Sequence, residues 1–143
     1  MTLENLERIG PLHREPPDNR EFEGLLKSAL DRLKDADNKS LSFASRFDLA
    51  YNAAHGLALA ALRASGYRTD KRYLVFQCLS YTTSIDKSII RLFSICHDRR
   101  NLAEYEGHLE MDEQLLGELI QHTRVLAKLV KAIRQKMRSP DRQ

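Results

Sequence analysis

Near its C-terminal end the chain carries Leu116, Leu119, Thr123, Leu126, Val130, Ile133 and Met137 at alternating steps of three and four. Only an α-helix stacks such positions along one side, because a strand puts every second residue on a face. The pattern predicts a helix of about six turns whose apolar seam must be covered by other helices. Asp112 is placed to cap its start, with Glu113 in the first turn. Lys128, Lys131, Arg134, Lys136 and Arg138 load its C-terminal half with charge that suits the helix dipole. Turn residues are scarce, with Gly 6 and Pro 4 in 143 residues, so a sandwich or barrel is disfavoured.

The rest of the chain follows the same period. Residues 1–18 read as an extended N-terminal arm, broken by Pro11, Pro16 and Pro17. Asp18 or Asn19 can cap a first helix with Phe22, Leu25, Leu26, Leu30 and Leu33 on one face. A second helix, over about residues 42–65, carries Phe43, Phe47, Ala50, Ala54, Leu57, Ala58, Ala61 and Leu62, and Gly66 is placed to end it. Its many alanines suit a tight bundle centre. A third helix is expected at about 71–81, and a fourth from the Thr83–Asp86 start signal to about Tyr105, ended by Gly107. The expectation is one all-α, up-and-down antiparallel bundle of about five helices over residues 19–138, with a frayed tail at 139–143.

Several function classes drop out. Lys plus Arg is 23 and Asp plus Glu is 20, a formal charge of +3, too mild to imply a coat for DNA. The stretches free of charged side chains, 49–62 and 73–85, are shorter than the roughly 20 residues of a membrane span. No secretory leader is visible, and Cys78 and Cys96 fall in apolar helical patterns, as buried thiols do in a reducing compartment. A cytoplasmic protein is expected. Neither a phosphate-binding glycine loop nor a nucleophile elbow is present. His13, His55, His97, His108 and His122 lack metal-ligand spacing, so no metal site and no cofactor is expected.

The segment that stands out is His97-Asp98-Arg99-Arg100-Asn101-Leu102-Ala103-Glu104-Tyr105, which follows directly on an apolar run. Arg100 and Glu104, at i and i+4, can form a surface ion pair. Tyr51 and His55 lie one turn apart on the second helix and can face the same cleft as Arg100, or be a polar pair satisfied inside the bundle. Arg46 can meet a substrate or pair with the acidic turn around Glu104–Glu113.

The run Arg46-Phe47-Asp48-Leu49-Ala50-Tyr51-Asn52-Ala53-Ala54, with Gly66-Tyr67-Arg68 after its helix, resembles an early helix of HEPN domains. Arg99-Arg100-Asn101-Leu102-Ala103-Glu104-Tyr105 is similar to the Arg-and-polar motif on a later helix of that family. The resemblance covers about residues 20–135. It implies a compact bundle that dimerises, and for many members a metal-independent ribonuclease of toxin–antitoxin or phage-defence type. In the family an Arg stabilises the developing charge, a His after four to six residues moves the proton, and two motifs meet across the dimer. Here Arg100 and Asn101 match the Arg and the polar residue. Tyr105 stands where His is expected, and His108 lies just beyond that spacing. Tyr has a pKa of about 10, which makes it a poor base near neutral pH. The resemblance therefore implies RNA binding or cleavage, with Arg100, Asn101, Tyr105 and His108 as catalytic candidates. Arg99, Arg46, Tyr51 and His55 are RNA-binding candidates, and a homodimer is the expected assembly. The alternative it leaves open is a non-catalytic interaction module. Its Arg99, Arg100 and Tyr105 would organise a dimer interface or bind a nucleotide, a cognate antitoxin or a larger defence protein.

Overall fold

The computed structural model describes residues 2–138. The fold is an all-α helical bundle. Its long helices are α2 (Asn19–Ala36), α3 (Phe43–Ala64), α6 (Lys87–Glu106) and α7 (Glu113–Arg138), joined by the short α4 (Arg72–Gln77) and α5 (Leu79–Thr82). Each long helix starts on a side chain that accepts from an otherwise unpaired amide. Asp18 accepts from Arg20 N at 2.8 Å, Ser42 from Ser45 N at 3.1 Å, Asp86 from Ser88 N at 2.8 Å and Asp112 from Leu115 N at 3.0 Å. The seam of α7 is buried from Leu116 through Val130, with Ile133 and Met137 half-buried at its end. The tail expected at 139–143 lies outside the described residues.

Helix α3 is the axis of the bundle, and α2, α4, α5, α6 and α7 all touch it. Ala50, Ala53, Ala54, Leu57, Ala58, Ala60, Ala61 and Leu62 are buried, which covers more than half of its circumference rather than one narrow stripe. Side chains this small let neighbouring backbones come near. A methyl group placed on Gly56 would lie 3.5 Å from the Ala29 methyl of α2.

Two expectations are corrected. The N-terminal arm is not extended throughout. Residues Leu3–Ile9 form α1, capped by Thr2 and ended by Gly10 in the left-handed region at φ 111. Beyond it, β1 (His13–Arg14) pairs antiparallel with β2 (Tyr67–Arg68), His13 opposite Arg68. Leu6 and Leu12 are buried, and their tertiary contacts stabilise a helix too short to stand alone. The expected third helix is broken at Cys78 into α4 and α5, so five helices is an undercount.

What fastens the N-terminal segment is Arg63, in the last turn of α3 and 2 % exposed. Its Nε donates to Glu21 Oε1 at 2.7 Å. Its other nitrogens donate to the carbonyls of Pro16 at 2.9 Å, Glu15 at 3.1 Å and Tyr67 at 3.3 Å, and one lies 3.1 Å from Glu15 Oε2. Arg68 pairs with the same two carboxylates, Glu15 at 2.9 Å and Glu21 more closely. Burial works to raise the Glu21 carboxyl, but Arg68 and Arg63 outweigh it and hold it below its ordinary value. Two guanidiniums thus meet two carboxylates with no net charge left over.

Arg63→Met removes the partner of buried acceptors. It is expected to lower stability by about 1–3 kcal/mol in urea unfolding, because the carbonyls of Glu15, Pro16 and Tyr67 lose their donor while Glu15 and Glu21 keep Arg68. Ala58→Leu is expected to cost about 1–3 kcal/mol by overfilling the axis. Burial pushes the Cys78 thiol up to about 11 and the Cys96 thiol to about 12. Both are therefore expected to resist iodoacetamide at pH 8 in the native protein and to react once urea unfolds it, as read by mass spectrometry.

Candidate functional site

Two helical stripes with the same spacing face each other. On α3, Asp48, Tyr51, Asn52 and His55 stand at i, i+3, i+4 and i+7. On α6, His97, Arg100, Asn101 and Glu104 repeat that interval. The stripes run in opposite directions, with Asp48 meeting Arg100 and Tyr51 meeting His97. Arg72 and Phe76 of α4, one turn apart, close the third side.

The centre of the cluster is Tyr51, whose ring is buried. Its hydroxyl lies 2.8 Å from His97 Nδ1, and the two rings stack at 6.1 Å and 29°. On the far side of the imidazole, Asn101 Nδ2 lies 3.0 Å from His97 Nε2. With the amide donating to Nε2, the ring proton sits on Nδ1 and is donated to Tyr51 Oη. The Tyr51 proton is then free for a further acceptor. Burial pushes the Tyr51 phenol above its ordinary pKa, against the pull of Arg72 and Arg100, so it stays a neutral donor. The guanidinium of Arg100 lies 5.1 Å and that of Arg72 6.0 Å from the Tyr51 ring centroid. Both cations sit within reach of the ring quadrupole.

Arg100 is also held by carboxylates. Its Nε lies 3.2 Å from Asp48 Oδ1 and another nitrogen 3.0 Å from Glu104 Oε1, the expected i,i+4 pair. Next to it a shallow open groove of about 420 Å³ runs past Phe47, Asp48, Ala103, Glu104 and His108. His55 packs edge-on against Phe76 at 5.8 Å. Burial first, then the charges of Arg72, His97 and Arg100, lower its pKa to about 4.

The structure therefore brings Tyr51, His55, Arg100 and Asn101 together, with His108 at the end of the groove. The other three candidates lie elsewhere. Tyr105 is 93 % exposed and takes no part in the cluster. Arg99 reaches Asp112 at 3.8 Å. Arg46 does not pair with the acidic turn: its Nε donates to the Ala36 carbonyl at 2.8 Å, satisfying an end group of α2. Sequence reasoning passed over His97, Arg72, Asp48 and Asn52 as site residues. The repeated i, i+3, i+4, i+7 interval of polar residues on two apolar helices is the signal that marks them. Among the described residues no group of three His, Cys, Asp or Glu side chains is placed to hold a metal ion, and no helix is long and apolar enough to cross a membrane.

The pKa of His55 gives a pH dependence with a definite sign. The unfolded imidazole binds a proton near 6.5 and the folded one only near 4. The stability held at neutral pH is therefore lost as pH falls from 6.5 towards 4. The difference in unfolding free energy between pH 7 and pH 4.5 is expected to shrink by on the order of 2 kcal/mol in His55→Phe, read from urea curves at both values.

No family model matches the chain, and no curated protein or solved structure matches it either.

Proposed function

We propose that this chain is a HEPN-like protein of toxin–antitoxin or defence type that acts on RNA without a metal, as a homodimer. The observation that carries the reading is the placement of Arg100 against the Tyr51 ring, which also holds His97 through its hydroxyl. A guanidinium and an imidazole side by side are the two groups that cleavage of a ribose phosphodiester needs. In this reading the base is His97, one turn before Arg100, rather than Tyr105. Asn101 swings away and frees Nε2, which takes the proton of the ribose 2′-hydroxyl. That oxygen attacks phosphorus, the bond to the 5′-oxygen breaks, and the leaving oxygen takes the proton back from the imidazolium. The products are a 2′,3′-cyclic phosphate and a 5′-hydroxyl. Arg100, with Arg72 across the ring, stabilises the charge that builds on the phosphoryl oxygens.

A second reading is favoured by one observation. Arg100 is already paired with Asp48 and Glu104, as a residue holding two helices together would be. The protein is then a non-catalytic module whose surface binds a partner protein or a nucleotide.

Mixed RNA incubated with the protein in EDTA separates them. Cleavage by the wild type is expected, with losses of about a hundredfold or more in Arg100→Ala and His97→Gln at unchanged helical circular dichroism. Intact RNA and unaffected growth on expression would sink the ribonuclease and leave the module.

A further inference from the structure

The side of α6 away from the cluster is unaccounted for. Tyr105 is 93 % exposed and Leu102 52 %, both on a well-formed helix. Asp98 and Glu106 are also exposed and form no ion pair among the described residues, and Arg99 has only Asp112 at 3.8 Å. These five side chains share one face. At about 100° per residue, Arg99 and Glu106 lie on one flank of Leu102, and Asp98 and Tyr105 lie on the other. Arg100 points nearly opposite.

We infer that this face docks on the same face of a second copy of the chain, the two α6 helices running antiparallel about a two-fold axis at Leu102. The inference rests on the dimeric part of the reading above and supplies its surface. The occupant follows from the order of the groups. A two-fold axis brings together positions lying equally far before and after it, on the same flank. Arg99, three residues before Leu102, meets Glu106 of the second copy, four residues after it. Asp98, four before, meets Tyr105 of the second copy, three after. Each mismatch is one residue, a rise of about 1.5 Å. The symmetry makes both pairs twice, and Leu102 packs on its own copy at the axis. Every polar contact joins a cation to an anion or a phenol donor to a carboxylate. The face carries one cation and two anions, which disfavours a nucleic-acid backbone as its occupant. Such a face covers on the order of several hundred Å² per copy, the low end for specific interfaces, so a micromolar dimer is expected.

Light scattering of the full chain between about 1 and 200 µM tests it, spanning the micromolar range expected of a small interface. The wild type should pass from monomer to dimer. Leu102→Asp, at an exposed position, should weaken the dimer at least tenfold with its melting curve unchanged. Arg99→Glu and Glu106→Arg should each weaken it several-fold, and the double variant should restore it, which only a direct pairing of those two positions does. A wild type that stays monomeric overturns the surface and the dimeric reading together. A wild-type dimer indifferent to Leu102→Asp and to the charge exchange overturns the surface alone. A variant that melts early is replaced by Leu102→Ser, judged by the same shift.

Discussion

A single buried guanidinium fixes how this bundle is assembled. Helix α3 is clad in alanine over much of its surface so that neighbours can close around it. At its last turn Arg63 collects two carboxylates and three carbonyls from the N-terminal segment, the first turn of α2 and β2. The C-terminal end of a helix favours a cation, so the dipole of α3 adds to the pairing. A buried charge is tolerated only when its partners are complete. Arg68 shares Glu15 and Glu21, so neither carboxylate depends on Arg63 alone. The consequence reaches the candidate site. β2 leads directly into α4, and α4 supplies Arg72 and Phe76 to the Tyr51 cluster. The clamp at one end of α3 thus sets where the third wall of the cluster stands.

Which parts of this were legible in the sequence follows from how local their causes are. The long helices start at Asp18, Ser42, Asp86 and Asp112 because a cap acts over two or three residues, and such signals survive in a bare sequence. Helix α1 carries the same signal at Thr2, but at seven residues it depends on burying Leu6 and on Leu12 beyond it, contacts no local pattern announces. The break at Cys78 is similar, since a short apolar run fits one helix as well as two. Arg63 reads as an ordinary cation near a helix end. All its partners but the Tyr67 carbonyl stand more than forty positions earlier, and nothing in its neighbours marks it as buried. His97 was overlooked for a related reason. Its spacing to Arg100 is local, but its partner Tyr51 lies 46 positions away, and only the fold pairs the two stripes.

The cluster is close to electrically neutral at rest. Arg72 and Arg100 bring two positive charges, Asp48 and Glu104 two negative ones, and His55 is uncharged at neutral pH. Neutrality does not make the guanidinium inert. Asp48 and Glu104 are well exposed, and pairs of that kind contribute about 0–1 kcal/mol. A phosphate arriving at the groove offers two oxygens in the plane a guanidinium prefers, so exchanging one weak partner for a stronger one costs little. The buried Tyr51 ring then holds Arg100 from behind while its outer nitrogens change partners.

Helix α6 would serve two tasks on opposite sides, and its geometry constrains how they combine. The stripe from His97 to Glu104 faces α3, whereas Leu102 and its flanks face outward. If two copies pair through Leu102, packed helix axes stand about 8–10 Å apart. Each Arg100 lies beyond its own axis, so the two are separated by on the order of 20 Å. No single phosphodiester spans that gap. The HEPN resemblance implies motifs that meet across the dimer, but a pairing at Leu102 places them back to back. Each copy would then hold its RNA phosphate with its own Arg100, Arg72 and His97. The missing His at position 105 fits that arrangement: a Tyr committed to Asp98 of the second copy is not available for proton transfer, and the imidazole one turn before Arg100 is.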